Sequence, residues 1–382
     1  MIRRLLLLFA PLWLTAAAAP PDSLDAWMER ARQAAAQGDW NESVIWYGRV
    51  LETDSLSAAA NLGLGQTYFS MGITSEAQRF LSRSLALEES WQARLALGRL
   101  AFEVGDLDRA RRHLLKVLEE RPNHTDALGT LGEMALEQAN FDAARRYFSQ
   151  ILEIEGPSET TLSDLGVVAQ RAGDAEEAVR LFRRAAKLAP ESLSAHYNLA
   201  VALAQADQLH QALIAINRAL EISPDDVASL RFLGVLYFEQ DVCPEAIRAF
   251  QKVLLHDPLD IEVRIGLASC YHAMGDYESA VLELRTIVTL DETNYDILLL
   301  LSNILQEMGD FDEAAHYAQQ AVRVEPERPD AYYLLGLAYE KMGRQKEADE
   351  AFRRLEELRE SGRGVAARDS LVDEGGARTP RP

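Results

Sequence analysis

The sequence predicts an all-α chain of stacked helix–turn–helix hairpins, and three patterns predict it. A small residue recurs as Ser43, Ala77, Ala110, Ala144, Ala178, Ala212, Ala246, Ala280, Ala314 and Ala348, in steps of 34 residues with a single step of 33. A second small residue precedes each of these, as Ala31, Gly65, Gly98, Gly132, Gly166, Ala200, Gly234, Ala268, Ser302 and Gly336. Between the two series fall the turn glycines Gly38, Gly72, Gly105, Gly173, Gly275, Gly309 and Gly343, with Ala139, Asp207 and Asp241 at the remaining turns. A fixed period of this length marks an array whose units are too small to bury a core alone and must stack.

The segment 159–192 shows the unit most clearly. Leu162, Leu165, Val168 and Ala169 recur at helical spacing and lie on one face. Gly173 ends this first helix, because glycine adopts the left-handed conformation that closes a helix C-terminus. The second helix carries Ala178, Leu181, Phe182 and Ala185 on its inner stripe and stops before Pro190, which cannot continue it. The small residues Gly166 and Ala178 are expected where the two helices cross.

Taken in order, the copies are Leu24–Ser57, Ala58–Ser90 (the 33-residue copy), Trp91–His124, Thr125–Ser158, Glu159–Ser192, Leu193–Asp226, Val227–Asp260, Ile261–Asn294, Tyr295–Arg328 and Pro329–Gly362. Closing prolines fall at Pro122, Pro190, Pro224, Pro258 and Pro326.

On these residues the chain resembles the tetratricopeptide repeat (TPR) family over nearly all of Leu24–Gly362. The resemblance implies a right-handed superhelical solenoid of about ten repeats. The pattern departs mildly from the family's. The large residue early in the first helix is Trp27 or Tyr332 in some copies but Asn61, Arg94, His196 or Arg264 in others. The second-helix aromatic is Tyr47, Phe148, Phe182, Phe250 and Phe352 in five copies, and Leu81, Leu114, Ile216, Leu284 and Ala318 in the rest. Ala318 follows Tyr317, so a shifted packing is expected in that repeat.

Flanking the array are two segments of different character. Residues 1–19 read as a secretory signal: Arg3 and Arg4, then the apolar run Leu5–Leu14, then the small residues Ala16–Ala19. Cleavage is expected after Ala18, since Pro20 disfavours it after Ala19; an uncleaved N-terminal anchor is the alternative. Residues 363–382 form a tail in which Val365–Val372 is compatible with a short capping helix, followed by a stretch too polar to fold. The expected location is therefore periplasmic or secreted, with no membrane insertion after cleavage.

With 39 basic and 60 acidic residues, the chain has a formal charge of −21. That argues against nucleic acid and against an anionic membrane surface, both of which select clustered Lys and Arg. A solvated exterior explains the charge, and recruitment of a basic partner is the sharper alternative.

The two cysteines, Cys243 and Cys270, fall in neighbouring copies. A bridge between them requires Cα atoms within about 7 Å; two separate small buried hydrophobes are the other reading. Phosphate loops, zinc pairs and nucleophile elbows are absent from the sequence. The seven histidines are scattered without ligand spacing, and the repeats leave no room for a catalytic domain. No catalytic residue, metal or cofactor is expected, and the chain is read as not an enzyme.

In the family it resembles, first helices line a concave face that holds peptides or partner segments. Carrying over the outward positions of that helix gives a candidate groove of Phe69, Phe102, Arg99, Arg171, Tyr197, Arg231, Phe232, Val235, Phe238, His272, Asn303 and Tyr333, with Gln66, Glu133 and Gln306 interspersed. Aromatic anchors with arginine among them characterise binding hot spots; packing of these aromatics on neighbouring repeats is the competing reading. The basic clamp that grips chaperone tails has no counterpart among only five lysines. The function implied is a non-catalytic interaction scaffold binding a partner protein or peptide, in bacterial envelope assembly or secretion. An accessory subunit of a separate enzyme, such as a glycan synthase or transferase, is the alternative.

Overall fold

A computed structural model describes residues 23–360. The expected signal peptide and the C-terminal tail lie outside those residues. The described chain is all-α, with twenty helices in ten consecutive packed pairs and no strand. It divides between Leu188 and Ala189 into two compact units.

The first unit contains α1 (Leu24–Ala36), α2 (Trp40–Thr53), α3 (Ala58–Ser70), α4 (Thr74–Leu87), α5 (Trp91–Glu103), α6 (Leu107–Glu120), α7 (Thr125–Glu137), α8 (Phe141–Glu155), α9 (Glu159–Arg171) and α10 (Ala175–Leu188). The second contains α11 (Leu193–Gln205), α12 (Leu209–Ile222), α13 (Val227–Glu239), α14 (Cys243–His256), α15 (Ile261–Ala273), α16 (Tyr277–Leu290), α17 (Tyr295–Met308), α18 (Phe311–Val324), α19 (Pro329–Lys341) and α20 (Gln345–Glu360). Odd-numbered helices are the first of each pair and even-numbered the second. The 33-residue copy loses its residue from a connection: three residues join α4 to α5, where four join α2 to α3.

Local chemistry sets the helix ends. Serine caps α1, α3, α5, α9 and α11, accepting a hydrogen bond from the backbone N–H three residues on; Asp226, Asp260 and Asn294 do the same for α13, α15 and α17. Pro329 opens α19, where its missing N–H costs nothing. The turn inside each pair requires a left-handed residue. Glycine supplies it at seven turns, and Ala139, Asp207 and Asp241 adopt the same conformation with φ of 53°, 57° and 58°. The turn geometry thus holds even where its preferred residue is missing.

Packing inside each pair follows the small-residue series. Ser43, Ala77, Ala110, Ala144, Ala178 and their counterparts through Ala348 are fully buried. Opposite them, a glycine on the first helix makes room for a large residue sixteen positions on. A Cβ added to Gly98 would lie 2.8 Å from Leu114 Cγ, and one added to Gly132 would lie 2.7 Å from Phe148 Cζ. Where the first helix carries Ala200 or Ala268, the partner shrinks to Ile216 or Leu284. At Ser302 it shrinks further, to Ala318, and Ser302 Oγ donates to the Ala314 carbonyl at 2.9 Å. The shift expected at Ala318 therefore does not occur. Ala318 is fully buried in register, and Tyr317 packs half-buried against the cluster formed by Tyr295, Leu298, Ala321 and Ala331.

Cys243 and Cys270 are free, buried thiols in one core cluster across α14 and α15. Burial, with a hydrogen bond between the two thiols, pushes Cys270 up to about 12. Among the described residues no helix is long and apolar enough to cross a membrane.

Candidate functional site

Within each unit, a first helix that follows another pair is held by its own pair and by the second helix of that preceding pair, so part of its surface stays open. Position six of α3 and of α15 is a glycine that faces the preceding second helix. Gly266, for example, packs against the ring of Phe250, where an added Cβ would lie 2.8 Å from Cε2. Positions nine and twelve lie further round and carry most of the candidate groove.

In the first unit, α5, α7 and α9 line a recess of about 530 Å³. Arg99 and Phe102 enter it from α5, Thr130 and Glu133 from α7, and Thr161 and Asp164 from α9. Phe102 is half-buried, while Arg99 and Glu133 are exposed. Asp164 occupies position six, where α5 has Ala96 and α7 has Thr130, and its carboxyl is half-buried. Desolvation, with the nearby carboxylates of Glu133 and Glu159, raises its pKa to about 6. Glu133 is also raised, by desolvation first; Arg99 opposes that shift and Glu137 and Glu103 add to it. The recess therefore joins an aromatic edge to a carboxyl that titrates close to neutral pH. Of its residues, sequence reasoning named Arg99, Phe102 and Glu133 and missed Asp164. The sixth position gives no signal for it, since the other first helices hold residues as different as Glu29, Gly63, Asn198 and Phe232 there.

Two other candidates in this unit lie apart from the recess. Phe69, half-buried on α3, packs on the core cluster around Leu81 and Leu97, and Arg171 is the exposed last residue of α9.

In the second unit the candidates fall into two kinds. Some are tied into the structure. Tyr197 and Phe232 meet edge to face across α11 and α13, with ring centroids 5.9 Å apart, and both are half-buried. Arg231 is expected on the open face, but it reaches across to the next pair. It forms an ion pair with Asp260, the buried cap of α15, and approaches Glu262 at 4.0 Å. His272 Nε2 lies 2.9 Å from Glu307 Oε2, and Asn303 Nδ2 donates to the other oxygen of the same carboxylate at 3.2 Å. Gln306 donates to the Leu334 carbonyl at 3.1 Å. All of these contacts except that of Asn303, which lies within α17, join adjacent repeats.

The others are open. Val235 is 37% exposed, Phe238 38% and Tyr333 46%. Val235 and Phe238 sit three residues apart on α13 and so share one face.

Comparison with known proteins bears on the whole array. Two family models, both described as tetratricopeptide repeat, match the sequence: one at residues 95–159, 163–227 and 299–363, the other at residues 244–304. Among solved structures, a tetratricopeptide repeat protein from Parabacteroides merdae is 18% identical with a TM-score of 0.51, covering 65% of this chain and 98% of its own. The C-terminal part of a TPR repeat-containing protein from Cytophaga hutchinsonii is 16% identical with a TM-score of 0.50, covering 63% of this chain and 99% of its own. At these identities the likeness is one of fold. No curated protein matches the sequence.

Proposed function

This chain belongs to the tetratricopeptide repeat family, and from that premise we propose that it is a non-catalytic scaffold holding a segment of a partner protein against its first helices. The observation that carries the reading is the open apolar face on α13. Val235 and Phe238 stand exposed three residues apart on a helix whose start is capped by Asp226. Apolar side chains grouped on one face and ringed by polar residues are the usual anchors of protein interfaces. The recess on α5, α7 and α9 supports the same reading in the first unit, where an aromatic edge beside carboxylates suits a segment mixing apolar and cationic side chains.

We further propose that the scaffold works outside the cytoplasm of a bacterial cell, in envelope assembly or secretion. The basic start, apolar run and small residues of the N-terminal sequence support that location. Cell fractionation of the native protein tests it, with recovery in the cytosol as the contrary result.

Affinity capture from the native envelope fraction tests the binding reading. The intact chain is compared with a Val235→Ala/Phe238→Ala/Tyr333→Ala variant. Loss of a captured protein in the variant supports binding at first helices, whereas identical capture places binding elsewhere.

A further inference from the structure

In a chain of net charge −21, the second helices of the first unit run against the general trend. The sixth residue of α4, α6, α8 and α10 is Arg79, Arg112, Arg146 and Arg180, one cation in each of four successive repeats, whereas α2 has Ile45 there. The corresponding residues of α12, α16, α18 and α20 are Ile214, Leu282, His316 and Glu350, and of these second-unit helices only α14 keeps a cation there, Arg248. The unbroken row thus spans four successive repeats of the first unit and does not follow from the repeat itself.

The row deepens at α6. Arg109, Arg112 and Lys116 join Arg94 of α5 and His113 around a recess of about 470 Å³, with Leu115 and Glu119 on its wall. Two of these cations already have partners, Arg94 with Glu89 and Lys116 with Glu119. Arg109, Arg112 and, one repeat on, Arg146 form no ion pair among the described residues. His113 registers the resulting field. Its pKa is lowered first by burial and then by Arg109, Arg94 and Arg112, against which Glu89 alone pulls the other way. Its Nδ1 is buried without a hydrogen-bond partner.

We propose that this outer face of the first unit is a second docking surface, which takes an extended acidic segment of a partner protein. The segment's carboxylates pair with Arg109, Arg112 and Arg146. Guanidinium groups suit this role because each presents a planar fork of donors that matches a carboxylate. One repeat separates Arg112 from Arg146, a step of about 10 Å set by helix packing, which an extended chain covers in about three residues. Such a segment can place a carboxylate at each. The recess decides between an acidic segment and an anionic bilayer. Its cations line a depression beside the exposed Leu115, which a side chain can enter and a flat lipid surface cannot. The three pairing arginines lie on second helices and none belongs to the groove on the first helices, so the site stands or falls separately.

The test uses the full-length protein and a fluorescein-labelled peptide of alternating glutamate and leucine, read by anisotropy. Inorganic phosphate and phosphatidylglycerol vesicles are the comparison arms. We expect saturable peptide binding that weakens steeply with salt. An Arg109→Gln/Arg112→Gln/Arg146→Gln variant should bind about tenfold or more weakly, while the corresponding lysine variant keeps part of the affinity. An Arg248→Gln/Arg285→Gln variant, altered on the second unit, should bind like the parent. In NMR spectra of the parent, the peptide should raise the titration midpoint of His113, because an arriving anion offsets the arginine field. Thermal melts of the variants matching the parent exclude misfolding. The proposal is overturned if the glutamine variant binds as well as the parent, if vesicles bind but the peptide does not, or if only free phosphate binds.

Discussion

A methyl group placed on Gly166 would lie 2.8 Å from Phe182 Cε1, closer than Cβ contacts in folded proteins come. The relation between these two residues, sixteen apart, is repeated along the chain. It explains why the first-helix residue shrinks to glycine wherever the second helix presents an aromatic at the crossing, with Ala31 opposite Tyr47 as the exception. Gly166→Ala should therefore destabilise by about 1–3 kcal/mol, although alanine is the better helix former by about 1 kcal/mol. Adding Phe182→Leu should recover part of that loss, since it reproduces the alanine–leucine pairing of Ala268 with Leu284. Urea denaturation of the two single variants and the double variant measures both effects. Strictly additive losses would contradict the pairing.

Ala178 sits fully buried on the other side of the same crossing. Ala178→Leu should overpack it and cost about 1–3 kcal/mol. An unchanged denaturation midpoint would place the helix crossing elsewhere.

Ala139 occupies the left-handed turn position with φ of 53°. A side chain with Cβ pays about 1 kcal/mol or more there, and glycine does not. Ala139→Gly should raise stability by about 1 kcal/mol, reversing the usual effect of removing a methyl group. A lower melting temperature in this variant would mean that the turn is not strained.

Asp164 gives stability a pH dependence of known sign. Its folded pKa, raised to about 6 from an ordinary 3.8, means that the folded chain holds the proton more tightly than the unfolded chain does. Its contribution is therefore complete below about pH 4 and is lost as pH rises through about 6. Asp164→Asn removes this penalty. The variant should be more stable than the parent at pH 8, by on the order of 1–2 kcal/mol after discounting for the carboxyl's access to water. The difference should fade toward pH 4. A difference independent of pH would show that the carboxyl is not desolvated.

Cys243 and Cys270 are both buried, and the Cys270 thiol is pushed up to about 12. Reaction runs through the thiolate, so neither should react with an aromatic disulfide reagent in the native protein at pH 8. Both should react together as the chain unfolds in denaturant. Fast labelling of the native form would contradict their packing.

The repeat was legible because its determinants are local and recur. Gly166, Ala178 and Gly173 each answer to a steric need at a fixed position, and ten copies make the pattern plain. Even the departures Ala139, Asp207 and Asp241 could be placed, because the turn fixes the backbone regardless of side chain. The candidate site was legible only as a face. Sequence spacing places Arg231, Tyr197 and His272 on first helices, but it does not say that Arg231 is bound to Asp260, Tyr197 packed on Phe232, or His272 held by Glu307. Those contacts run between repeats, across some thirty residues, and depend on how neighbouring pairs stack. Asp164 was missed for the same reason: the recess that holds it is lined by residues of α5, α7 and α8 as well as by its own helix.

Binding of a partner against the first helices is tested most directly by photocrosslinking in native cells. A photoreactive residue replaces Phe238 on α13 in one variant and Ile214 on the outer face of α12 in another; the two are 38% and 61% exposed. The scaffold reading predicts a discrete crosslinked protein from position 238 that is absent from position 214. Adducts from position 214 alone, or the same adducts from both, would contradict it.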